Sequence, residues 1–122
     1  MRAKVKWLAR PEEHDYEAAE SYLSLLVIGN SLEDLKDVIR RLQKAKVVSF
    51  KAKDILRASG LPLLGPGNYH VAKDRKRIRS SKKLSPLLLC RQNEHLCIAD
   101  GYHRLCAVYS VDEDADIPCK IV

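Results

Sequence analysis

The chain has 122 residues, 46% of them hydrophobic and 31% charged, with a formal net charge of +6. These values suit one globular domain and exclude a disordered or collagen-like chain. No apolar run approaches membrane-spanning length, and no signal-like leader stands at the N-terminus, so the expectation is a cytoplasmic protein with no membrane contact and four reduced cysteines.

Trp7 lies in a short strand-like segment and reads as packing rather than base stacking. From Asp15 to Ile28, Ala18, Tyr22, Leu25 and Leu26 recur at helical spacing, and Gly29-Asn30 closes that helix. Ser31-x-x-Asp34 then forms a capping box for a second helix, whose stripe Leu32, Leu35, Val38, Ile39 and Leu42 reads as core. At Val47 the period changes. Val48, Phe50 and Ala52 alternate with Ser49, Lys51 and Lys53 as in a half-buried strand, which Asp54-Ile55-Leu56-Arg57 follows.

Three glycines and two prolines between Ser59 and Gly67 mark a turn-rich stretch. Asn68 then caps a helix over Tyr69 to Arg79, whose thin apolar side (Val71, Ala72, Ile78) predicts a surface position. Seven cations between Lys73 and Lys83, against the single Asp74, account for the whole net charge. Such a segment is either a solvated helix face or an attractor for phosphates, nucleic-acid backbone included.

Leu87 to Cys90 reads as a strand covered on both faces, joined by a polar turn over Arg91 to His95 to a second strand ending at Ala99. A tight hairpin there sets Cys90 against Cys97. None of the four cysteines has CxxC spacing, so they read as small buried hydrophobes rather than zinc ligands. After a helix from Tyr102 to about Ser110, burying Leu105, Val108 and Tyr109, the alternation and Pro118 of the final stretch Ile117 to Val122 fit an edge strand.

The chemistry concentrates in Asp100-Gly101-Tyr102-His103-Arg104, a strand-to-helix turn. A helix start offers unpaired N–H groups and positive potential to an anion, and glycine lets a phosphate approach the backbone. Arg104 suits a bidentate phosphate contact, the alternative being a surface bridge to Asp112 or Glu113. His103 could donate to phosphate, shuttle a proton, or serve as a hydrogen-bonded structural residue. Asp100 reads as the helix N-cap, as a ligand for magnesium between phosphates, or as a proton acceptor.

The order of elements from Val47 to Val122 resembles the ParB/sulfiredoxin superfamily, with Asp100-Gly101-Tyr102-His103-Arg104 its sharpest point and Ile117-Pro118-Cys119-Lys120-Ile121-Val122 its closing strand. The resemblance implies an α+β fold: a small mixed sheet with flanking helices over residues 46–122, preceded by two N-terminal helices over residues 1–45. It also implies that the turn holds the phosphates of ATP, ADP or CTP, with Gly101, Tyr102, His103 and Arg104 in contact. Arg57, His70 and Lys73 would stand nearby. The motif is most similar to that of the free serine kinases, which implies a small phosphotransferase or nucleotide hydrolase using Asp100 and His103. A nucleic-acid-binding module or a non-catalytic sensor are the alternatives. Sulfiredoxins carry a cysteine immediately before the His-Arg pair; here Tyr102 stands there, so their reduction chemistry is not expected. ParB proteins add a helix-turn-helix and a dimerisation segment after this fold, and neither lies within these residues, so centromere binding is not expected either.

Overall fold

A computed structural model of the chain describes residues 4–26 and 32–122. The Gly29-Asn30 stop, the Ser31 cap and the end of the first helix at Ile28 lie outside them. The described residues form a mixed α+β architecture of five helices and two small sheets. The elements are β1 (Lys6–Trp7), α1 (Glu13–Leu26), α2 (Leu32–Lys44), β2 (Val48–Lys51), α3 (Ala52–Ser59), α4 (Tyr69–Arg79), β3 (Lys83–Leu84), β4 (Leu87–Arg91), β5 (Leu96–Asp100), α5 (Tyr102–Val111) and β6 (Asp116–Ile121). No helix among the described residues is long and apolar enough to cross a membrane.

The main sheet has the order β2-β6-β4-β5, with β6 antiparallel to β2 and parallel to β4, and β4 antiparallel to β5. β1 and β3 pair in parallel as a separate two-stranded sheet. Alternation along β4 sends its side chains into two cores. Leu87 and Leu89 join Ile98, Ile117 and Cys119 beneath α3, α4 and α5, while Leu88 and Cys90 join Cys97 and Ala99 beneath α1 and α2. Leu87, Leu88 and Leu89 are all fully buried, as a strand covered on both faces requires.

Several expectations change here. α1 buries Tyr16, Ala19 and Leu23 rather than the stripe through Ala18, and Tyr22, Leu25 and Leu26 are exposed. Both faces of this helix are apolar enough to choose. The face with small Ala19 packs closely on β5, where Ala99 and Cys97 are also small. The strand from Val48 stops at Lys51 and is not half-buried: Val48 and Phe50 are exposed with the rest of β2, which lies at the edge of the main sheet. Ala52 to Ser59 form a helix with Asp54 in its first turn, Arg57 in its last and Gly60 in the left-handed region at its end (φ 67°), the usual helix stop. Pro118 does not mark an edge, because β6 is an interior strand. The parallel register with β4 begins one residue later, at Cys119, so the residue lacking an N–H stands outside that ladder. α4 runs over Tyr69–Arg79 as its cap predicts, yet Val71, Asp74 and Ile78 are buried, since it packs on α5. Tyr109, expected in the core, is only half-buried. The hairpin sets Cys90 opposite Cys97 as free thiols.

Candidate functional site

β5 delivers Asp100 to the end of the sheet, and the chain turns on Gly101 directly into α5. Gly101 has φ 111°, and a Cβ built there would lie 2.7 Å from Leu87 Cγ and 3.0 Å from Arg104 Nη2. Only glycine meets both demands, an unusual backbone angle and a crowded wall. No side chain caps the start of α5. The sequence offers Asp100 as that cap, and the structure employs it otherwise: its Oδ2 accepts a hydrogen bond from Arg104 Nη2 at 2.9 Å.

Arg104 therefore folds back over the turn rather than reaching toward Asp112 or Glu113. It also donates to the Pro86 carbonyl at 3.3 Å. Its side chain and that of Asp100 are 15% and 17% exposed, and its Nε is buried without a partner. A guanidinium has five donors, so this one retains capacity beyond its present partners. Burial pushes the Asp100 carboxyl above its usual range; Arg104 opposes that rise and the nearby Asp15 carboxyl adds to it.

A cleft of about 210 Å³ opens beside the turn, and His70, Lys73, Asp74 and Arg77 of α4 face Asp100, Gly101, Tyr102, His103 and Arg104 across it. The rings of His70 and His103 tilt against each other at 4.8 Å between centroids. Burial first, and then His70, lowers the His103 pKa below its ordinary value, while Asp74 acts against them. Asp74 is itself buried and lies 3.3 Å from Arg77 Nη1. Tyr102 donates its hydroxyl hydrogen to the Pro62 carbonyl, which ties the turn-rich stretch to the start of α5.

Of the residues singled out in the sequence, His70, Lys73 and Asp100 through Arg104 share this one cleft. Arg57 does not join them. It pairs with Asp54 at 3.5 Å, its side chain is 86% exposed, and it lines a separate cleft with Lys53, Gly60 and Tyr109. Among the described residues no three His, Cys, Asp or Glu side chains gather into a metal site. Cys106 is fully buried, with its thiol pushed up by burial, so it offers no nucleophile.

Sequence reasoning placed Arg77 only within the basic segment Lys73 to Lys83, not at the turn, and passed over Asp15. Arg77 was within reach, because His70, Lys73 and Arg77 fall at i, i+3 and i+7 and share one helical face. Asp15 was not. It belongs to α1, and no local spacing links it to a turn far along the chain.

No protein-family model, curated protein or solved structure matches the chain.

Proposed function

We propose that the chain binds the phosphate groups of a nucleotide (ATP, ADP or CTP) at the start of α5, on a scaffold of the ParB/sulfiredoxin kind. One observation carries this reading. α5 opens on a glycine with no side chain over its first amides, and the cleft it faces brings together His70, Lys73, Arg77, His103 and Arg104. Helix amides and guanidinium donors are the groups that replace water around a phosphate oxygen. Asp100 keeps Arg104 beside the turn and prevents the cation from swinging into solvent.

Magnesium would enter on the ligand's phosphates, with Asp100, one of the two carboxylates lining the cleft, as its protein ligand, in the manner of an ion that uses one or two protein oxygens and keeps its waters. Phosphoryl transfer or hydrolysis would need a proton acceptor; of the carboxylates and imidazoles in the cleft (His70, Asp74, Asp100 and His103), Asp100 and His103 adjoin the start of α5 and are assigned that part. Isothermal titration of folded protein with ATP, ADP and CTP, with and without magnesium, tests binding. Phosphate release from ATP tests turnover. Heat of binding from one of the three is expected, and silence from all of them defeats the proposal.

A second reading has an observation of its own. Lys73, Lys76, Arg77, Arg79, Lys82 and Lys83 are all exposed along α4 and the turn after it. If this surface grips a nucleic-acid backbone, binding weakens steeply with salt and with neutralisation of Lys76 and Arg79. A flat salt response excludes it.

A further inference from the structure

Arg77 and Arg104 are walls with two sides. One side faces the cleft of about 210 Å³ beside the α5 start; the other faces a second cleft of about 260 Å³. The second is lined by Glu12, His14 and Asp15 from the start of α1, and by Lys82, Lys83 and Ser85 around β3.

Local geometry explains why these segments meet. α4 ends in a turn through Ser81, whose φ of 59° lies in the left-handed region, and the Lys82 N–H donates to the Arg77 carbonyl at 3.0 Å. The turn brings Lys82 and Lys83 back alongside Arg77. From the other side, β1 pairs with β3 and leads the chain across to α1. The acids of this cleft are largely engaged within their own segment. Asp15 Oδ2 accepts the Glu12 N–H at 2.8 Å, Asp15 Oδ1 lies 3.5 Å from His14 Nε2, and Glu12 Oε2 lies 3.3 Å from His14 Nδ1. Arg77 and Arg104 have Asp74 and Asp100 beside them, whereas Lys82 and Lys83 form no ion pair among the described residues; with four cations against two acids in its lining, the cleft favours a negative occupant.

We propose that the two clefts form one elongated site for a ligand carrying two anionic groups in series. One group sits on the start of α5; the other sits among His14, Lys82 and Lys83, beyond the Arg77–Arg104 wall. The chemical class is a condensed phosphate chain, of which a lone phosphate fills only the first cleft. Arg104 lines both clefts and would then contact both groups. The N-terminal segment, outside the stretch that resembles a known family, thereby becomes part of the binding site. This inference rests on the phosphate reading above and deepens it.

The probes are inorganic phosphate, pyrophosphate and tripolyphosphate, titrated without magnesium at matched ionic strength. Affinity is expected to rise by about tenfold or more from phosphate to tripolyphosphate, at one chain per protein. Lys82→Gln with Lys83→Gln removes that gain and leaves phosphate affinity within about twofold. Lys36→Gln with Lys46→Gln, an equal loss of charge at exposed positions lining neither cleft, leaves the gain intact. An unchanged gain in the Lys82/Lys83 variant overturns the inference. So does tripolyphosphate that binds no tighter than phosphate, including the case of two phosphates bound independently. In both cases phosphate binding survives, and the reading of the first cleft with it. If phosphate and tripolyphosphate alike fail to bind, both fall together.

Discussion

α4 and α5 meet at the cleft, and they begin in opposite ways. At the start of α4, Asn68 Oδ1 accepts the N–H groups of His70 and Val71 at 3.0 and 3.2 Å, so the helix finishes itself. At the start of α5 the corresponding position is Gly101, which has no side chain to offer, and the adjacent Asp100 is turned toward Arg104. A cap is worth about 1 kcal/mol, and many residues could supply one. Leaving it out at a helix start walled by cations makes sense if an incoming anion completes the turn. The contrast separates a helix end closed by its own side chain from one whose first amides no side chain caps.

Removing Arg104 should break the open end most severely. Arg104→Gln leaves Asp100 without its counter-ion in a site 17% exposed, and about 3 kcal/mol of stability should disappear from urea denaturation curves. Phosphate affinity should fall roughly 10- to 100-fold. Because the variant could fail through Asp100 alone, Arg104→Gln with Asp100→Asn is the informative partner. It should regain much of the stability and none of the affinity. Recovery of binding in the double variant would show that the guanidinium only steadies the fold.

Gly101→Ala comes next. Its Cβ would press on Leu87 Cγ at 2.7 Å from a backbone with φ 111°, so a loss of about 2–4 kcal/mol is expected. Gly60→Ala is the control, since it too has positive φ (67°) but nothing within 4 Å of the new methyl. About 1 kcal/mol is expected there, with phosphate binding untouched. Equal losses at the two glycines would mean that Leu87 gives way easily and that crowding plays no part.

These positions also show what could be read from the residues in order. The α5 turn was legible because strand, aspartate, glycine and helix follow one another locally, and each imposes its own backbone preference. The Asn68 cap was legible for the same reason. The role of Asp100 was not, because a cap and an i,i+4 ion pair are both compatible with Asp-x-x-x-Arg, and only the close wall at Leu87 and Pro86 decides between them. The interior place of β6 escaped because Pro118 signals an edge whenever the register with its neighbours is unknown. The helical state of Ala52 to Ser59 escaped because four alternating residues precede it. Asp15 and the second cleft arise from β1–β3 pairing and from α1 lying on β5, contacts that no short window contains.

Asn68→Ala sharpens the comparison from the finished side. It should cost about 1 kcal/mol in denaturation and leave anion binding unchanged, because the amides it exposes belong to α4 alone. A matching drop in phosphate affinity would instead show that the start of α4 contributes more to the site than the side chains of His70 and Lys73.

The gentlest probe starts from the unaltered chain and varies only pH. Burial and His70 hold the His103 pKa below the ordinary value of 6.5. With no ligand, the unfolded chain protonates first as pH falls, so stability declines from that value down to the folded-state pKa and then levels off. An anion in the cleft favours the imidazolium and lifts the His103 pKa, so phosphate binding is accompanied by proton uptake. Affinity for sulfate, whose own charge is fixed in this range, should therefore strengthen as pH falls through the interval between the free and bound values. Imidazole resonances followed by NMR with and without phosphate give both values directly, and His103→Gln should abolish the His103 signal and flatten the pH dependence of affinity. A His103 titration that ignores saturating phosphate would mean that the anion binds elsewhere, and the open helix start would then have to be explained as packing of Gly101 against Leu87 alone.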